Sequence, residues 1–154
     1  MAKGDVTWFD AGLKALGDKE IDLGGGQIKL GLVDDSITPT ATTAAPAWGS
    51  GGTTNFAANE VESGGSEYTG PITLGNQSWA DVSGVMTFDG DDISLSQDAS
   101  GFTDARWGIL FDDSSTNKLA VGFVDLGGDT SVVAGPVQIN FNASGILQLE
   151  RESA

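Results

Sequence analysis

Neither cysteine nor histidine occurs among the 154 residues. Without cysteine the chain has no disulfide and no thiolate metal site. Without histidine it lacks both the commonest general base and the commonest metal ligand, so a Ser-His-Asp hydrolase is excluded. Basic side chains are also scarce, 7 Lys and Arg against 22 Asp and Glu, and the formal charge of −15 repels phosphate backbones. Nucleic acid is therefore excluded as a partner, while partners with basic or polar patches are favoured. No apolar run approaches the roughly 20 residues needed to span a bilayer, so a soluble chain and no membrane partner are expected. The start, "MAKGDVTWFDAGLKALG", has no apolar core of signal-peptide type and no small-residue cleavage site, so no cleaved leader is expected.

Glycine is abundant, and "IDLGGGQIKLGLVDD", Ile21 to Asp35, tests whether it serves phosphate binding. A P-loop needs two glycines with four residues between them, then Lys and Ser or Thr, whereas Gly26 is followed by Gln27 and Ile28. The dinucleotide fingerprint fails at its third glycine, where Lys29 stands. Ile28, Leu30 and Leu32 alternate with Gln27, Lys29 and Gly31, so the glycines read as a turn into a strand. No cofactor is implied.

The length predicts one β-rich domain over 1–154, large enough to bury a real core. Val6, Phe9, Leu13 and Leu16 recur at helical spacing and predict a short helix over 5–17, with Asp5 as N-cap and Gly17 just past its end. Residues 34–66, rich in Thr, Ala, Ser and Gly and carrying Pro39 and Pro46, predict a long irregular loop. Downstream, short β-rich runs separated by turn residues predict strands at Tyr68–Leu74, Val85–Phe88, Ile93–Leu95, Ala105–Asp112, Lys118–Leu126, Val132–Val133, Val137–Phe141 and Gly145–Leu149. "DGDD", "DDSSTN", "LGGD", "AGP" and "NASG" supply the turns between them. "VQINF" has the clearest register, with Val137, Ile139 and Phe141 inward and Gln138 and Asn140 outward. The fold class expected is mainly β, an antiparallel β-sandwich or partial barrel with one N-terminal helix and a long loop.

Chemistry has few footholds. "DGDD", Asp89 to Asp92, begins like a calcium loop, but Ser94 and Ser100 occupy the positions where an EF-hand needs glycine and glutamate, so a turn is expected and no metal site. A glycosidase would need two carboxylates about 5 to 9.5 Å apart beside aromatic platforms. Trp8 and Trp107 fall in elements that read as packing, and no residue pattern marks a carboxylate pair, so no catalytic residue is assigned. The loop over 34–66 is more informative, because Ile37, Trp48 and Phe56 are large apolar residues that a solvating linker would lack. They are the expected partner-binding residues of an interaction arm. The competing expectation is that Trp48 and Phe56 fold back over one end of the sandwich.

The motif order is "FDAGLKALGDKEIDLGGGQIKLGLVDDSITP", "NEVESGGSEYTG", "ARWGILFDD" and "VGFVDLGGDTSVVAGPVQINFNASGILQLE". It resembles a family of small structural proteins of tailed bacteriophages. In that family a short helix leads to an I-K-[VL]-x-L-V strand, followed by an E-V-x-G-x-G-Y-like segment, an A-R-[YW]-x-[IV]-[LI] strand and a closing hairpin ending in G-I-L-x-L. The matching stretches here are Ile28 to Val33, Glu60 to Tyr68, Ala105 to Leu110 and Asp125 to Leu149. Leu126, Phe141 and the "SGGS" before Glu67 depart from the pattern. The resemblance implies a capsid decoration or cement protein, not an enzyme, bound as a homotrimer to the outer surface of the major capsid protein lattice of the virion. The negative charge agrees with an exterior position, away from packaged DNA. The alternative from another class is a tail-associated receptor- or glycan-binding module on the same kind of fold.

Overall fold

The structure is a computed structural model that describes residues 4–152. Residues 1–3 and 153–154 of the expected domain lie outside the described residues. In chain order the elements are β1 (Val6–Trp8), α1 (Asp10–Gly17), β2 (Ile28–Val33), β3 (Pro46–Ala47), β4 (Thr54–Asn55), a 3-10 turn (Phe56–Asn59), β5 (Ile72–Thr73) and β6 (Ser78–Val82). They continue with β7 (Val85–Asp89), β8 (Ile93–Leu95), β9 (Ala105–Asp112), β10 (Ala120–Thr130), β11 (Val137–Ile139) and β12 (Leu147–Glu150). The fold is mainly β, with several antiparallel sheets and one α-helix, in a sandwich-like arrangement.

Its centre is a five-stranded antiparallel sheet in the order β1-β10-β9-β2-β5. On its inner face Ile28, Leu30 and Leu32 of β2 join Leu110 of β9 and Val121 and Val124 of β10. Across from them lie Phe88, Ile93, Leu95, Val137, Ile139 and Leu147, contributed by a three-stranded sheet β12-β7-β6 and a two-stranded sheet β11-β8. The outer face of the central sheet is also buried, because Val33, Ile109, Phe111, Ala120 and Phe123 are covered by Phe9, Trp48 and Phe56. Burial on both faces explains why β9 reads as a nearly continuous apolar run.

The strands over Ile28–Val33, Ile93–Leu95 and Ala105–Asp112 have the expected bounds. In β11, Val137 and Ile139 are buried and Gln138 is exposed, and the inward position continues to Phe141 past the end of the ladder. The glycines of "IDLGGG" form a turn closed by the Gly24 N–H on the Asp22 carboxylate at 2.9 Å.

The helix is shorter than the 5–17 expected. Val6, Thr7 and Trp8 pair with Val124, Phe123 and Gly122 of β10, because β-branched and aromatic residues fit an open strand edge and a three-residue stretch is too short for periodicity to discriminate. Asp5 is not the cap. Phe9 holds the N-cap position without a side-chain cap bond, and the left-handed residue after the helix is Lys19 instead of Gly17. The buried helical residues are Gly12 and Ala15, with Leu13 exposed, so the packing face is the small-residue one that lets the helix approach the backbone of Val121.

Further differences concern local strand pairing. Tyr68–Leu74 contributes only Ile72–Thr73 to a ladder, and Val132–Val133 bonds as a loop, with the Val132 N–H on the Phe102 carbonyl at 3.1 Å. "LGGD" is not a turn but part of β10: Gly127 and Gly128, at φ of 82° and 156°, form a bulge before the ladder resumes at Thr130 opposite Ala105. Ser78–Val82 is a strand that was not expected.

The segment 34–66 folds back on its own chain, as in the competing expectation, but over the outer face of the central sheet and not over one end of the sandwich. The Trp48 N–H bonds the Lys118 carbonyl at 2.8 Å, the Val61 N–H bonds the Leu32 carbonyl at 3.0 Å, and β3 pairs parallel with β4. Asn55 caps the 3-10 turn by accepting from the Ala57 N–H at 3.1 Å. A backbone tied at both ends to the central sheet, with aromatic residues between the ties, packs as a layer and not as a free arm.

Candidate functional site

Ile37, Trp48 and Phe56 meet in one cluster on the outer face of the central sheet. Phe56 is fully buried and packs on Phe9 with ring centroids 5.7 Å apart. Trp48 is only 5% exposed and stacks on Phe111. Ile37 is half-buried at the rim. In this subunit the surface they meet is their own sheet, where burying each large apolar side chain contributes about 1.5–3 kcal/mol.

The segment is locked at its far end by Tyr68. Its hydroxyl donates to a Glu60 carboxylate oxygen at 2.8 Å and accepts from the Leu32 N–H at 3.0 Å. Burial, followed by the neighbouring Glu60 carboxylate, pushes the phenol well above its ordinary value, although the Leu32 N–H pulls the other way. Glu60 and Tyr68 bound one of the motif stretches of the sequence, and their contact gives that stretch a structural meaning.

Several carboxylates hold loops by accepting backbone N–H groups. Asp98 accepts from Ser66, Glu67 and Ser100, which holds its carboxyl below the usual carboxylate range. Asp112, 1% exposed, accepts from the N–H of Asp22 and the N–H and hydroxyl of Ser114. Within "DGDD", Asp91 accepts from the Asn76 amide and Asp92 from the Phe141 N–H, both at 2.8 Å. Among the described residues no group of three or more Asp or Glu side chains is placed to hold a metal ion.

The cations are largely neutralised in place. Asp113 lies between Lys29 at 2.9 Å and Lys118 at 3.1 Å, Arg106 pairs with Asp125, and Lys14 pairs with Asp18. The first two of these pairings hold the Asp113 and Asp125 carboxyls low. Most of the 22 acidic side chains have no such partner among the described residues, so the surface carries a strong excess of carboxylate.

Two of the grooves are lined by strand residues. One lies between β1 and β12, where the Trp8 indole N–H reaches the Gln148 carbonyl at 3.3 Å. The other, of about 380 Å³, lies beside β6 and is lined by Leu16, Ile21, Leu23 and Trp79 with Lys19 and Asp22. Val82, at 57%, and Leu149, at 45%, are the most exposed large apolar side chains, both on the three-stranded sheet. The signal for β6 was present as Trp79 to Val82 followed by Ser83-Gly84, a two-residue hairpin turn. No described helix is long and apolar enough to cross a membrane. Comparison with protein-family models, curated proteins and solved structures gave no match for this chain.

Proposed function

We propose that the chain is a virion structural protein of the capsid decoration, or cement, class. It binds the outer surface of the major capsid protein lattice, as a homotrimer, and stabilises the head. The observation that carries this is the sequence resemblance, two of whose motifs fall on neighbouring strands of the central sheet, while the stretch Glu60–Tyr68 lies in the loop before β5. Ile28–Val33 is β2, Ala105–Leu110 lies in β9, and Asp125–Leu149 runs from the end of β10 into β12. The acidic surface supports an exterior site, because it is repelled by packaged DNA and attracted to basic patches on a protein lattice. With Trp48 and Phe56 buried in their own subunit, attachment falls to the exposed strand edges and apolar residues of the three-stranded sheet.

Copy number in purified particles tests the proposal. Hundreds of copies per particle, with heads that lose heat resistance when the protein is removed, are expected. A copy number in the single to tens range places the protein in the tail and overturns it.

A further inference from the structure

We propose that the open edge of β6 is a strand-addition site for an extended, basic segment of a protein partner. This mode of attachment does not depend on the partner being a capsid subunit. In the three-stranded sheet β6 pairs only with β7, through Ser78↔Asp89 to Val82↔Val85. Ser83 and Gly84, both at positive φ, make the two-residue turn, so the flanking pair Val82 and Val85 exchange backbone hydrogen bonds. Alternation then directs the backbone groups of Val82 and Ala80 at β7, and those of Trp79 and Asp81 at the open side.

Sheet edges in soluble proteins are usually blunted by lysine, proline, a bulge or shortness. The two edges of the central sheet are short, with three residues in β1 and two in β5. β6 has five residues, "SWADV", without lysine, proline or bulge. Trp79 of β6 also lines the groove formed with Leu16, Ile21 and Leu23. An added strand gains hydrogen bonds from Trp79 and Asp81, and its alternate side chains enter that groove.

Charge selects the occupant. A second copy would bring another −15 against the first, whereas a segment with Lys or Arg flanking its apolar residues meets Asp81 on the strand and Asp22 in the groove. Lys19 is the one cation lining that groove among the described residues.

The probe is a synthetic peptide alternating Lys and Val, blocked at both ends, with a Glu-Val peptide as counterpart. Titrated into the folded protein and followed by amide hydrogen exchange, the Lys-Val peptide should protect Trp79 and Asp81 while leaving Ala80 and Val82 unchanged. Non-specific adsorption to an acidic surface would not produce that alternation. Asp81→Pro removes one outward donor while leaving the backbone bonds to β7, although the Gly84 N–H loses the Asp81 carboxylate in the turn, and should weaken binding about tenfold, the equivalent of one hydrogen bond. Asp81→Asn keeps the donor and should weaken binding less while lowering its salt dependence. Failure of the Lys-Val peptide to bind, protection elsewhere than Trp79 and Asp81, or equal binding of the Glu-Val peptide would overturn the proposal. So would protection of these amides that rises with protein concentration alone, which would make a second copy the occupant.

Discussion

The indole of Trp48 lies parallel to the ring of Phe111, with centroids 5.1 Å apart and planes within 4°. Beneath it the backbone of Gly31 approaches so closely that a Cβ there would sit 2.2 Å from the indole. A glycine in the middle of β2 is the condition for the 34–66 layer to close on the sheet.

Gly31→Ala therefore displaces Trp48 and should destabilise the fold by about 1–3 kcal/mol, as overpacking does. Trp48→Ala should cost about 3–5 kcal/mol by opening a cavity over Phe111. Chemical denaturation read by fluorescence and circular dichroism measures both. A Gly31→Ala protein as stable as the wild type would mean that Trp48 does not lie on β2.

In the free subunit, amide hydrogen exchange should find Trp48 and Val61 protected, since both N–H groups bond to strand residues or their immediate neighbours. Equal protection of 40–58 in free and particle-bound protein is expected. Protection that arises only on the particle would restore the interaction arm.

Tyr68 is the single tyrosine, so its phenolate absorbance reports one site. Its folded pKa is raised, which means that the folded state holds the proton more tightly than the unfolded state does. Its contribution to stability is complete below the unfolded value of about 10 and declines as pH rises above it. The phenol should thus titrate together with alkaline unfolding and not before it. Tyr68→Phe leaves the Leu32 N–H and Glu60 without their shared hydroxyl and should cost about 1–3 kcal/mol.

Asp98, Asp113 and Asp125 have lowered folded pKa values, from backbone N–H bonds at the first and from Lys29 and Arg106 at the others. Their stabilisation is present above the unfolded carboxylate value of about 3.9 and is lost as pH falls through the folded ones. Acid unfolding should begin below about pH 4, and Asp98→Asn should flatten that dependence. An unchanged acid profile in this variant would show that Asp98 does not hold the Ser66–Glu67 turn.

Asp112→Ala removes the buried acceptor of the Asp22 and Ser114 N–H groups, whose bonds to it are part-buried. A loss of about 1–3 kcal/mol is expected, with Asp112→Asn losing less because one side-chain oxygen still accepts. Thermal melting separates the two variants.

The apolar alternation of Ile28–Val33 and the β-rich run of Ala105–Asp112 fixed those strands before any tertiary contact, because period and composition are local properties. The missing histidine and cysteine and the charge of −15 were equally independent of fold, and so were the chemistries they exclude. What local pattern could not decide was pairing. Val6–Trp8 becomes strand because β10 offers it an edge, Gly127 and Gly128 become a bulge because β10 continues past them to Thr130, and β6 exists because the Ser83-Gly84 turn brings it against β7. Ile37, Trp48 and Phe56 were legible as residues that need burial. Whether a partner or their own sheet supplies it depends on contacts remote in sequence, Gly31 and Phe111 above all, and only the folded chain brings those surfaces within reach of the indole.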